Sequence, residues 1–442
     1  MMPLQARQAM DEQVLDLARR VAEQAEVFSI TSVETPVDFE ANRLKQVQRK
    51  EVHGLALRVV VDGRVGLAST TRMQEPESLV ETALAMARYG AQAHFVLPGP
   101  ARLPQVQVYD PAVERLAVEQ LVAMGQTMID RVRAHDPRIL CDAGVNSVVS
   151  TARILNSAGA AREVRKTVLS VSLHGNLVRG TDMLDVYEEA SSCRADLDCA
   201  PLAMAVIEKT GLARRQSQVS AGAMPVVFTP KGVAMTIMAP LRMALSGKMV
   251  LQGASPLGDR LGRTVADTRF SLYDDGTLDW APGSGSCDHE GVPCQRTPLV
   301  EGGRVVGFYY DLQTAGLAGT VSTANGFRSL DNLPGPANTS LVVTAGECTF
   351  AEMVASMKNG LVIDQTMGAW SGNLISGEFS ANVHLGYKVE NGQIVGRVKD
   401  TMVAGNVFQA LTNLDAIGAE RTWVGDVFAP ALGFKSLGVA CK

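Results

Sequence analysis

DHEGVPCQRTPLVEGGRVVGFYYDLQTAGLAGTVSTANGFR, residues 288–328, decides how the second half of this chain is read. Short β-branched runs flank Gly302-Gly303, a hairpin-turn dipeptide, and a polar STANG corner follows at 322–326. Beyond Asp288, His289 and Glu290, little in the stretch is suited to acid, base or nucleophilic work. It reads as antiparallel β architecture rather than as a catalytic loop.

Glycine extends that contrast to the whole chain. Eleven of the 41 glycines lie in residues 1–220 and 30 in residues 221–442. The expectation is an α+β protein with an N-terminal α+β domain over 1–220 and a C-terminal, glycine-rich, mostly antiparallel β domain with a few helices over 221–442. Arg214, Arg215, Gln216, Ser217 and Gln218 mark the linker, and a strand at 225–228 opens the second domain. A helix over 232–245, a second hairpin turn at Asn391-Gly392 and helices near 349–358 and 405–416 complete it.

The first half states one order of elements twice, in halves of about 1–110 and 111–220. A helix over 8–25 carries Val14, Leu17, Ala18, Val21 and Ala22 on one face. Strands at 27–34, 39–47, 54–61 and 64–70 follow, the last two joined by an Asp62-Gly63 turn. A helix opening on Pro76 and running to about residue 91 closes the first pass. The second pass has a helix over 113–134, strands near 139–155, 161–174 and 176–190, and a helix near 200–213. This is a duplicated helix–β-meander–helix plan.

Composition excludes several classes of function. A net charge of −5 and a pI near 5.8 provide no general basic face for nucleic acid. The basic row Arg43, Lys45, Arg49 and Lys50 is flanked by Glu40 and Glu51 and reads as a solvated strand face. Seven scattered cysteines argue against a disulfide framework, and no leader or membrane-spanning run is evident, so a cytoplasmic location is expected. No HExxH, GxSxG, phosphate-loop or GxGxxG motif occurs.

Four constellations remain. Cys287, His289, Glu290 and Cys294 are dense enough for a secondary metal site or a thiol hydrolase, but no second ligand hook exists, and small packing cysteines beside a turn are the plainer reading. His135, His174 and His384 stand isolated in sequence. Met235, Met238, Met243 and Met249 suit either a core face or an adaptable substrate groove. The polar corners around Ser322, Asn325 and Arg328 and around Trp370 and Ser376 are the expected surface for peptide or partner contact, where strand edges bind extended chains.

Several blocks give the chain a family resemblance. They are GLALRVVVDGRVGLAST (54–70), ETALAMAR (81–88), LQGASPLGDRLG (251–262), EGVP (290–293), LVEGGRVVGFYYDLQTA (299–315), STANGFR (322–328), SGEFS (376–380), VENGQI (389–394) and TMVAGN (401–406). In order and spacing they resemble the TldD/PmbA (TldD/TldE) family of two-subunit zinc metallopeptidases, over nearly the whole chain. In that family a helical HExxxH motif and a cysteine near the C-terminus hold zinc, with the glutamate as general base. The matching segment here is MTIMAPLRMALSGK, with Met238 and Met243 at the histidine positions, Ala239 at the glutamate and Val424 of TWVGDVFAP at the cysteine. Pro240 adds a local irregularity. The resemblance therefore implies a PmbA/TldE-like subunit that binds no cofactor itself. It would pair with a TldD-like zinc-bearing partner to degrade or mature small or unfolded peptides. A homodimeric peptide-binding or scaffold protein without proteolysis fits the same substitutions.

Overall fold

The computed structural model describes residues 4–72, 75–369 and 373–441. The fold is α+β, built around two large sheets. The first holds seven strands in the order β4-β3-β1-β5-β6-β7, with β2 paired to β1, and every pairing is antiparallel. Its strands are β1 (Gln24–Glu40), β2 (Arg43–Val47), β3 (Lys50–Val61), β4 (Arg64–Thr70), β5 (Leu140–Asn156), β6 (Ala161–Arg179) and β7 (Asp182–Ser192). Its helices are α1 (Leu4–Ala18), α2 (Pro76–Ala87), α3 (Pro111–Glu114), α4 (Val118–His135) and α5 (Ala200–Leu212). The element order is helix, meander, helix in each half, and the central β1–β5 pair joins the two meanders.

Several sequence-based boundaries need correction. The first helix stops at Ala18, seven residues short of the expected 25, because the chain turns over 19–23 to enter β1. The expected strands at 27–34 and 39–47 are divided differently. β1 runs unbroken to Glu40, held by β3 and then β2 on one side and by β5 on the other, and the reversal sits at Ala41-Asn42 with φ of +46° and +69°. The strand break expected at Gly175 does not exist. β6 passes straight through it, and a Cβ there would stand 2.6 Å from Val206 Cγ1 of α5, so this glycine makes room for a helix rather than a turn. The expected 113–134 helix is α3 followed by α4. The hairpins at Asp62-Gly63, Gly302-Gly303 and Asn391-Gly392 form as expected, each with both residues at positive φ.

The second sheet has twelve strands among the described residues. Strands Leu272–Asp275, Leu341–Val343, Val427–Cys441, Gly222–Phe228, Asn359–Met367, Glu378–Glu390 and Gln393–Val398 lie side by side in that order. Leu414–Val424 forms a hairpin with Val427–Cys441. The pairing is mostly antiparallel, with parallel contacts where Val427–Cys441 meets Leu341–Val343 and where Gly222–Phe228 meets Asn359–Met367. The expected linker contributes Gln216–Ser217 to the sheet's edge. Helices near 349–358 and 405–416 are shorter than expected, at Phe350–Ala355 and Val407–Thr412. Within 288–328 a helix the sequence reading overlooked, Leu312–Ala318, is capped by Asp311 and ends on Gly319 at φ +66°.

One apolar cluster crosses residue 220. It packs Leu173, Val186 and Val206 together with Val362, Leu385 and Val389. The second, larger core lies almost entirely within the C-terminal half, around Phe228, Ile237, Met238, Phe270 and Phe434, and takes in Val219.

Candidate functional site

Thr229 caps the helix that carries the methionines, its hydroxyl accepting from the Gly232 amide at 3.3 Å, with Pro230 at the first position. An α turn (Pro230–Gly232), a π turn (Val233–Ile237) and a further α segment (Met238–Ala244) then run on without a break. Pro240 has no amide hydrogen and its ring crowds the preceding turn, and the π turn widens the helix just ahead of it. A Cβ at Gly232 would lie 2.6 Å from the Ile363 carbonyl, so this helix presses closely on the neighbouring strand. Met238 and Ala239 are buried in the core, whereas Met235, Met243 and Met249 are half-buried.

Val424 is half-buried in the tight Val424-Gly425-Asp426-Val427 turn. The turn is tied to the helix by an Arg242–Asp426 ion pair, and Asn338 Nδ2 donates to the other Asp426 oxygen at 2.6 Å. The Tyr309 hydroxyl donates to the Arg242 carbonyl at 2.5 Å. The fold thus brings together two segments whose linked residues, Arg242 and Asp426, are 184 positions apart. The side chains they present are thioether, methyl and isopropyl groups, which do not fit a zinc ion. Among the described residues no group of three or more His, Cys, Asp or Glu side chains is arranged to hold a metal ion.

The polar corner is an internal strut. Asn325 is fully buried and donates to Asp274 Oδ2 at 2.7 Å and to the Ala337 carbonyl at 2.8 Å. Asp274 also accepts from the Thr339 and Ser340 amides. Asp288 accepts from the amides of Glu290, Val292 and Gly326. Burial raises both carboxyls above the usual range, against the pull of these donors.

Arg328 belongs to a sealed four-charge seam between the first sheet and the loops of the 288–328 stretch. Its Nη2 stands 2.6 Å from Glu26 Oε1 of β1, off the hydrogen-bonding direction, and its guanidinium lies 4.5 Å from the Phe28 ring centre. Arg58 of β3 bridges Glu26 at 2.9 Å and Glu290 at 2.7 Å. Burial alone would raise Glu26, but Arg328 and Arg58 outweigh it and hold the carboxyl below its ordinary value. Asn325 and Arg328, expected as contact residues, have their side chains enclosed within this chain. Ser322 and Ser376 are half-buried, and Trp370 lies outside the described residues.

The Cys287, His289, Glu290 and Cys294 side chains do not converge. Glu290 turns to Arg58 and to the Leu312 amide. His289 lies between Phe28 and Phe327, with its Nδ1 facing the Arg328 backbone, and burial, aided by Arg328, lowers its pKa to about 4. Both thiols are buried. Burial pushes Cys287 up to about 12 and Cys294 higher still, which removes the thiolate needed for nucleophilic attack.

Sequence reading missed two clusters. His174 and His384, isolated in sequence, flank Asp185 at 3.5 and 3.3 Å and link β6 and β7 to strand Glu378–Glu390. These two contacts hold the Asp185 carboxyl well below the usual range. Lys209 donates to Glu188 at 2.6 Å and to both Asp364 oxygens at 2.9 Å, and Lys231 pairs with Glu188 at 2.8 Å. These four side chains border a cavity of about 320 Å³ that Val424 also lines. No spacing rule connects residues this far apart, so neither cluster had a sequence signal.

A family model described as the PmbA/TldA metallopeptidase C-terminal domain matches residues 221–441, and the model for domain 1 of the same metallopeptidases matches residues 25–87. The chain is 25% identical to a protein of Methanocaldococcus jannaschii over 429 residues, covering 96% of this chain and 98% of the relative. It is 26% identical to a metalloprotease of Methanothermobacter thermautotrophicus, covering 92% and 90% of the two chains. Identity to a TldD homologue metalloprotease of Haemophilus influenzae is also 26%, over 69% of this chain and 66% of that one. Among solved structures, TldE from Thermococcus kodakarensis superposes with a TM-score of 0.90 at 21% identity, covering 98% of this chain and 100% of that one. A Thermotoga maritima protein described as a candidate modulator of a DNA gyrase superposes at 0.91 with 23% identity and the same coverage. These two likenesses establish a common fold. With one family model spanning half of the chain and a second preceding it, the chain belongs to the TldD/PmbA metallopeptidase family.

Proposed function

We propose that this chain is the PmbA/TldE-like, non-zinc subunit of a TldD/TldE-type metallopeptidase that degrades or matures small or unfolded peptides. The observation that carries the reading is the chemistry of one locus. Met238, Ala239 and Met243 on the helix and Val424 on the adjoining turn offer neither imidazole, carboxylate nor thiolate, so zinc has no ligand and an attacking water has no base. Zinc and the general base then come from a TldD-like partner, and this chain shapes the peptide-binding enclosure. The reading includes a cytoplasmic setting, a division into 1–220 and 221–442, and Ser322 and Ser376 as contacts to partner or peptide.

The test is a peptidase assay on unstructured peptides. The chain alone should be inactive, and activity should emerge when an HExxxH-bearing relative from the same genome is added. Activity of the chain alone would contradict the reading. A second reading, a homodimeric peptide-binding scaffold, draws on the same apolar locus. It would prevail if the chain binds peptide as a dimer while no such relative confers activity.

A further inference from the structure

Two cavities meet where the Trp423–Val424 end of the hairpin lies against the first sheet. One, about 400 Å³, runs over β1, β5, β6 and β7. The other, about 320 Å³, opens between β7, the start of the 230–244 helix and the hairpin. Both are lined by Glu189 and Trp423, so together they form one bent groove.

We infer that this groove binds a short peptide through a cationic side chain, lysine or arginine. The peptide class rests on the function proposed above; the charge preference comes from the groove itself. The two cavities present five carboxylates against two ammonium groups. Lys209 and Lys231 are already matched by Glu188 and Asp364. Asp38, Glu189 and Glu420 lie outside that pairing and leave the walls negative. Glu189 accepts from the neutral Tyr187 hydroxyl, which orients the carboxylate without cancelling its charge.

The remaining walls suit the rest of such a side chain. Trp423 stacks on Phe428 with ring centres 4.7 Å apart, so its indole is held in place as a surface a cation favours. Phe350, Val424 and Ala431 supply apolar contact for the methylene stem of a lysine or arginine. An acidic peptide would meet like charge at every unmatched carboxylate. The apolar residue standing where a metal ligand is expected, Val424, thus forms part of a binding wall.

The experiment is calorimetric titration of the full chain at low ionic strength with end-blocked Gly-Gly-Lys-Gly-Gly and its glutamate twin. The lysine peptide should bind roughly tenfold or more tightly than the twin, and added salt should narrow the gap. The E189Q/E420Q double variant changes two exposed side chains and should cut the preference about fivefold. Equal binding of the twins, binding of neither, or an undiminished preference in the double variant would overturn the inference. Partner-dependent peptidase activity with no charge preference would remove the groove alone. A charge preference in a chain that no partner activates would remove the subunit reading and leave the groove.

Discussion

Two charge quartets tie the first sheet and its helices to the second half of this protein, and they differ in cation and in access to water. Glu26, Arg58, Glu290 and Arg328 are sealed, with side chains 0–3% exposed. Lys209, Lys231, Glu188 and Asp364 border a cavity, and the Lys209 side chain is 22% exposed. The planar fork of arginine serves two carboxylates in fixed directions, which suits a dry seam where each charge must be matched. Lysine offers a compact, hydrated charge, which suits a wall that faces a ligand. One quartet is architecture; the other adjoins the groove.

Four experiments break or sharpen that contrast. Arg58→Ala should have the largest effect, because it leaves Glu26 and Glu290 buried with one cation fewer. A loss of roughly 3–5 kcal/mol is expected in urea unfolding. A change below about 1 kcal/mol would mean that the seam is open to water. Next, Asn325→Ala strips a donor from buried Asp274 and from the Ala337 carbonyl, and should cost roughly 2–3 kcal/mol in the same assay.

Third is a pH effect at the edge of the sealed seam. The folded pKa of His289, about 4, lies below the ordinary 6.5. Between these values the unfolded chain takes the proton more readily, so stability falls as pH drops from 6.5 towards 4. His289→Gln should flatten that part of the stability curve relative to the unchanged chain. Parallel curves would show that His289 is solvated. The smallest effect is expected in the second quartet, where Lys209→Met should cost about 1–2 kcal/mol because Glu188 keeps Lys231 and Asp364 keeps the Thr229 hydroxyl. A cost equal to that of Arg58→Ala would erase the distinction between the two.

The same contrast governs what the sequence could reveal. Asp62-Gly63, Gly302-Gly303 and Asn391-Gly392 were legible because a two-residue turn with positive φ needs those residue types wherever it occurs. Gly175 misled because a glycine that clears space for Val206 looks, in sequence, like one that breaks a strand. Arg328 was singled out for its type, but its pairing with Glu26, some 300 residues away, depends on how the 322–328 corner packs on the first sheet. The family blocks located the helix carrying Met238 and the turn carrying Val424, and only the fold places that turn on a cavity wall.

The most direct measurement is zinc content by elemental analysis of the tag-free chain, purified without chelator. The account predicts far less than one zinc per chain, because thioethers, a methyl group and an isopropyl group occupy the locus. One tightly held zinc per chain would contradict it and would mean that the metal has found ligands elsewhere in this fold.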